Sequence, residues 1–109
     1  MLSASLMPLP CPLPLSSLES LASEHGTPLQ LYDEASIRGA ARTLLDAFGG
    51  AFPAQADGSG GFRQFFAVKA LPNPAVLRVL LDEGCGLDCS STAELAVAAM
   101  LGVPPSRVM

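Results

Sequence analysis

The chain has 109 residues, a length that fits one small domain or part of a larger one and excludes two full domains. Half of the residues are hydrophobic, only 15% are charged and the mean hydropathy is +0.41, so the chain is too apolar to be disordered throughout. Its net charge is −4 and it has no run of basic residues, so the chain lacks the basic surface with which a protein binds nucleic acid. Lys69 is the only lysine in the sequence.

An uncharged, proline-rich stretch opens the chain, and we expect residues 1–15 to form a disordered extension. The uncharged run through Leu18 has the length of a signal peptide or membrane segment. However, its alternate prolines break helices and no Lys or Arg precedes it. We therefore expect no membrane association, with translation starting at Met1 or Met7.

The cysteines indicate neither a disulfide framework nor a zinc site, because they form no CxxC pair and lie far in sequence from the single histidine, His25. They are Cys11, Cys85 and Cys89. Free thiols favour a reducing compartment, so we predict a cytoplasmic protein without a metal.

Residues 16–61 predict a strand and helix segment followed by a flexible loop. A capping box from Ser16 to Glu19 starts a short helix that Gly26 ends. Alternating residues predict a strand over 28–32, and Asp33 caps a helix that ends at Gly49-Gly50. The Gly-, Ser- and Pro-rich residues 51–61 predict a mobile connection.

Residues 62–109 alternate strands and helices. An apolar run predicts a strand over 65–70, Asn73 then caps a helix with Pro74 in its first turn, and glycines at 84 and 86 stop that helix. A strand over 87–89, a capping box from Ser91 to Glu94, a helix through 101 and a strand beginning at 107 follow. This order predicts an α/β fold of βα units on a parallel sheet.

Lys69 stands at the carboxyl end of the strand predicted over 65–70. If the strands close into a barrel, Ala67 and Lys69 share the inward face, at the end where barrel enzymes carry their chemistry. Burial of the ammonium would favour the neutral amine that forms a Schiff base with a carbonyl. The alternative is a structural lysine that reaches water from the strand end.

Several segments resemble the pyridoxal-phosphate barrel of the ornithine/diaminopimelate/arginine decarboxylases. They are FAVKA at 66–70, NPAVL at 73–77, EGCGLDCSS at 83–91 and Glu94-Leu95, and the resemblance extends over 27–109. It implies a partial (β/α)8 barrel of the TIM type, with a leading segment over 16–61 and the first two to three βα units over 62–109. A complete barrel takes ~250 residues, so we expect the N-terminal part of a longer enzyme, inactive when isolated.

The resemblance also implies the site and the reaction. Lys69 would carry pyridoxal 5'-phosphate as an internal aldimine, Ala67 would line the pocket, Asp88 would lie near the lysine and the cofactor, and Glu94 would lie close to the lysine. The capping box explains Glu94 equally well. The implied reaction is decarboxylation of an amino acid, with the cofactor as electron sink. A second subunit would complete the site in a homodimer.

The substrate and some other functions stay open. Leu71–Pro74 and Cys85–Asp88 look more like diaminopimelate decarboxylases, which form L-lysine and CO2 from meso-diaminopimelate, than like ornithine or arginine decarboxylases of polyamine synthesis. Alanine racemases share the barrel but carry a different stretch after the lysine. A decarboxylase-like regulatory protein without cofactor is a further alternative, against which the retained Lys69 and Asp88 argue. A class I aldolase, in which the lysine attacks the substrate directly, is the last alternative. No residue other than Lys69 supports it.

Overall fold

A computed structural model describes residues 11–57 and 59–109. The chain divides into two compact units, Met1–Asp33 and Glu34–Met109. The first unit contains helix α1 (Leu15–His25). The second contains α2 (Glu34–Ala51), β1 (Phe65–Ala67), α3 (Pro74–Asp82), β2 (Gly86–Asp88) and α4 (Thr92–Met100). Of the predicted extension, residues 1–10 lie outside the described part of the chain.

In the first unit, α1 begins one residue before the predicted cap. Pro14 has an extended backbone and its carbonyl accepts from the amides of Ser17 and Leu18, so Ser16 lies inside the helix. The predicted capping box is therefore wrong, while the end at Gly26 is confirmed. The strand predicted over 28–32 is also wrong, since these residues have no regular structure. A strand needs a partner for its amides and carbonyls, and no described residue pairs with this segment.

Helix α2 packs against α3 in the second unit. Ala41 of α2 is buried with Val76 and Leu80 of α3 and with Cys85. The helix continues through Gly49-Gly50 to Ala51, so the predicted end is slightly early. The stacked rings of Phe48 and Phe52, 6.3 Å apart, lie across this last turn.

The connection after α2 contains a closed turn. Ala54 and Gly60 form an isolated antiparallel bridge, and the Gln55 amide donates to the Ser59 carbonyl. The Asp57 carboxylate accepts from the amide and the hydroxyl of Ser59. The predicted mobility of residues 51–61 stays a prediction.

The two strands of the sheet are parallel, as predicted, but shorter than predicted. Phe65 pairs with Gly86, Phe66 with Leu87 and Ala67 with Asp88. A further parallel bridge joins Leu87 to Val108, which confirms that a third strand position begins there.

The helices cover one face of this sheet. Val68, Leu77, Leu87 and Ala98 form a buried cluster, against which Phe66 packs. Because neighbouring residues along a strand point to opposite faces, Ala67 and Asp88 lie on the face away from these helices.

Helices α3 and α4 begin at the predicted caps. The Asn73 side chain accepts from the amides of Ala75 and Val76, and Pro74 occupies the first turn. Ser91 accepts from the amide of Glu94 at the start of α4. Within the described ranges, no helix is both long enough and apolar enough to span a bilayer.

Candidate functional site

Lys69 lies just beyond the carboxyl end of β1, not within the strand. The strand stops at Ala67, and Val68–Ala70 form a 3-10 turn closed by a 3.2 Å hydrogen bond from the Leu71 amide to the Val68 carbonyl. The prediction that Ala67 and Lys69 share a strand face is therefore wrong. The run FAVKA is apolar enough for a strand, but β2 offers only three paired residues and Pro72 follows closely.

The Lys69 side chain is exposed, whereas the sequence predicted a buried ammonium. Val68 faces the helices and is fully buried, while the next residue leaves the sheet. The part of the sheet that the structure describes supplies no layer over Lys69. The amine is consequently accessible to a ligand at the end of the sheet.

Ala67 and Asp88 are neighbours across the two strands. They are paired residues in the parallel register, so their side chains project from the same face of the sheet. Both are half-buried. Ala67 thus places a small side chain beside the carboxylate, at the end of the sheet where Lys69 follows.

Glu94 joins this end of the sheet to the first turn of α4. Its carboxylate oxygens accept hydrogen bonds from the Ser90 amide (2.8 Å) and the Ser91 hydroxyl (2.9 Å). The bonds from Ser90 and Ser91 lower the pKa of Glu94, and the positive charge of Lys69 lowers it further. The Glu94 amide also donates to Ser91 Oγ, so the predicted capping box is confirmed.

Cys89, a free cysteine, follows Asp88. Burial raises the pKa of its thiol, and the charges of Glu94 and Asp88 raise it further. The side chain packs against the helix-side cluster around Leu87. This environment favours the protonated thiol, which is a poor nucleophile. Among the described residues, no three metal-ligating side chains come together.

A group of ion pairs attaches α2 to the end of α3, and sequence reasoning missed it. Glu83, whose side chain is 9% exposed, accepts from Arg38 at 2.9 Å and from Arg42. Hydrogen bonds from Arg42 and Arg38 lower the pKa of Glu83 to about 2. The arginines lie one turn apart on α2, a visible signal, but nothing in the sequence indicates their partner.

A family model and several known proteins match this chain. The family model described as "Pyridoxal-dependent decarboxylase, pyridoxal binding domain" matches residues 34–109, the second compact unit. Protein TabA from Pseudomonas amygdali pv. tabaci is 47% identical over 85 residues, covering 78% of this chain and 18% of that protein. A diaminopimelate decarboxylase from Methanothermobacter thermautotrophicus is 42% identical over 89 residues, covering 82% and 19%.

A solved structure is also similar. The lysine/ornithine decarboxylase from Vibrio vulnificus, complexed with putrescine, matches with a TM-score of 0.68 and 32% identity over 85% of this chain and 23% of its own. The chain thus spans about a fifth of the length of the relatives that it matches.

Proposed function

The chain belongs to the family of pyridoxal-dependent decarboxylases, its fold is part of that family's α/β barrel, and we propose that it holds the cofactor of such an enzyme on Lys69. The observation that carries the proposal is an exposed amine at the carboxyl end of β1, next to the paired Ala67 and Asp88. Barrel enzymes carry their chemistry at this end of the strands. The family's pyridoxal binding domain makes pyridoxal phosphate the cofactor in question.

The residues present fit this cofactor. Lys69 offers an accessible primary amine for covalent attachment of the aldehyde, and Ala67 leaves room for a flat ring beside the sheet. The Asp88 carboxylate provides a negative charge for a cationic or protonated group. When bound, the cofactor supplies an electron sink that makes loss of a carboxylate from an amino acid possible.

The chain's own residues contribute binding and proton handling. Lys69 would hold the cofactor and, when not attached to it, would be free to accept or donate a proton at Nζ. Asp88 would accept a hydrogen bond from a group bound over Ala67. Glu94 would act through the loop that follows Asp88, because its carboxylate binds the Ser90 amide and the Ser91 hydroxyl.

We propose diaminopimelate as the substrate, with L-lysine and CO2 as products. The support is the name of the Methanothermobacter relative and of several other relatives that are 35–42% identical. The second candidate is a lysine or ornithine decarboxylase, favoured by the Vibrio structure. A homodimer, implied by the family resemblance, stays a prediction.

The experiment is a pair of chimaeric enzymes. Residues 34–109 replace the matching segment of the Methanothermobacter diaminopimelate decarboxylase and, separately, of the Vibrio lysine/ornithine decarboxylase. We expect the first chimaera to release CO2 from diaminopimelate and the change Lys69→Arg to abolish this release. Arginine keeps the positive charge but cannot form the covalent bond.

The outcomes separate the candidates. Activity in the Vibrio host alone would favour the second candidate over diaminopimelate. Full activity of the Lys69→Arg chimaera would contradict the proposed role of this residue. A folded chimaera that is inactive in both hosts, with Lys69 present, would contradict the proposed function.

A further inference from the structure

The loop between β2 and α4 is held by one carboxylate. Glu94 accepts from the Ser90 amide through Oε2 and from the Ser91 hydroxyl through Oε1, and its own amide donates to Ser91 Oγ at 3.3 Å. Three hydrogen bonds therefore connect the last two residues of this three-residue loop to the first turn of α4. Each carboxylate oxygen already accepts a bond from the protein before any ligand is present.

This loop fixes the residues that precede it. Asp88 is paired with Ala67 on one side, and the next residue, Cys89, donates its amide to the Met109 carbonyl at 2.8 Å. Beyond Cys89, the bond from the Ser90 amide to Glu94 is the next restraint along the chain. While Glu94 holds the loop, the residues directly after β2 are therefore tied to the first turn of α4.

We propose that Glu94 is a positioning residue, which fixes Asp88 at the end of the sheet by binding the Ser90–Ser91 loop. The proposal rests on the proposed function in taking Asp88 as a cofactor-site residue. In this proposal Glu94 acts by positioning Asp88, whereas the family resemblance implies only that Glu94 lies close to the lysine. The hydrogen-bonding capacity of Glu94, and not its charge, is the property that matters.

Two substitutions separate these properties. Glu94→Gln removes the charge but keeps an oxygen that can accept from Ser90 and an amide that can donate to Ser91, as in capping boxes that contain glutamine. Glu94→Ala removes both the charge and the bonds. Glu19→Ala in α1 is a matched control, because it changes the net charge equally at an exposed residue that makes no cap bond.

The test measures two properties of the full 109-residue chain. Hydrogen exchange followed by NMR reports the protection of the Ser90 and Cys89 amides. Titration with pyridoxal phosphate, followed by the absorption band of the bound cofactor, reports its dissociation constant. Circular dichroism at 222 nm checks that each variant keeps its helices.

We expect Glu94→Ala to lose protection at Ser90, to lower it at Cys89 and to weaken cofactor binding about tenfold, as loss of supporting hydrogen bonds does in metal sites. Glu94→Gln and Glu19→Ala should stay within about twofold of the parent. Binding as weak in Glu94→Gln as in Glu94→Ala would overturn the proposal, since charge would then be the operative property. Unchanged binding and protection in Glu94→Ala would also overturn it.

Two other outcomes are decided by the same data. If Glu94→Ala unfolds, Glu94→Asp replaces it: the shorter side chain keeps the charge but withdraws its oxygens from the Ser90 amide, so a several-fold loss of affinity supports the proposal and no loss contradicts it. If the parent chain shows no cofactor band at all, the chimaeras decide the proposed function. The proposal then depends on amide protection alone, which should still be lost in Glu94→Ala and kept in Glu94→Gln.

Discussion

Of the glycines in the described part of the chain, Gly86 is the one where an added β-carbon would meet the closest contacts. A β-carbon placed there would lie 2.6 and 2.7 Å from two carbon atoms of the Phe65 ring and 2.8 Å from the Arg107 carbonyl oxygen. The ring can rotate away, but the carbonyl oxygen belongs to the backbone that leads into the third strand position. Gly86→Ala therefore requires the strands to separate locally.

The expected loss of stability follows from two opposing effects. Overpacking of a well-packed interior costs about 1–3 kcal/mol. Alanine in place of glycine also reduces the conformational freedom of the unfolded chain, which stabilises the fold by about 0.4–1 kcal/mol where the backbone conformation suits alanine. We expect Gly86→Ala to lower the free energy of unfolding by about 1–2 kcal/mol.

Urea unfolding of the 109-residue chain, followed by circular dichroism at 222 nm, measures this difference. Gly39→Ala is the control, because a β-carbon at this exposed position in α2 meets nothing within 4 Å. It should raise the free energy of unfolding by about 0.5–1 kcal/mol. A Gly86→Ala chain as stable as the parent, beside a stabilised Gly39→Ala chain, would refute the reasoning about the close approach.

The ion pairs of Glu83 make two further predictions. Glu83→Gln should lower the urea midpoint at pH 7, whereas Glu34→Gln should change it little, because Glu34 is exposed and the Glu83 side chain is not. Since folding lowers the pKa of Glu83 from 4.5 to about 2, its contribution is present in full above pH 4.5 and is lost as the pH falls from there towards 2. Urea midpoints across this range should converge for the parent and Glu83→Gln, and midpoints that differ equally at pH 7 and pH 2 would contradict the assignment.

The sequence was most informative where a local pattern determines a local structure. Asn73 followed by Pro74 predicted the start of α3 correctly, because capping depends on residues within one turn. The capping box at Ser91 and Glu94 was confirmed for the same reason. The α/β order followed from these boundaries, since they delimit the short strands between the helices.

Features that depend on distant partners could not be predicted. The strand over 28–32 did not form, because no described segment pairs with it. The position of Lys69 depended on where pairing with β2 stops, which apolar character alone does not reveal. The ion pairs of Glu83 join residues more than 40 positions apart, so they required the packing of α2 on α3.

Reductive labelling of Lys69 tests the central claim most directly. The chain is treated with a low concentration of pyridoxal phosphate and then with borohydride, in the folded state and in urea, and peptide mapping gives the labelled fraction of this single lysine. We expect the folded chain to be labelled well above both the unfolded chain and free Nα-acetyl-lysine, because the proposed site brings Ala67 and Asp88 together at the end of β1 only in the folded chain. Equal labelling in all three would show that Lys69 reacts as an ordinary exposed amine and would contradict the account.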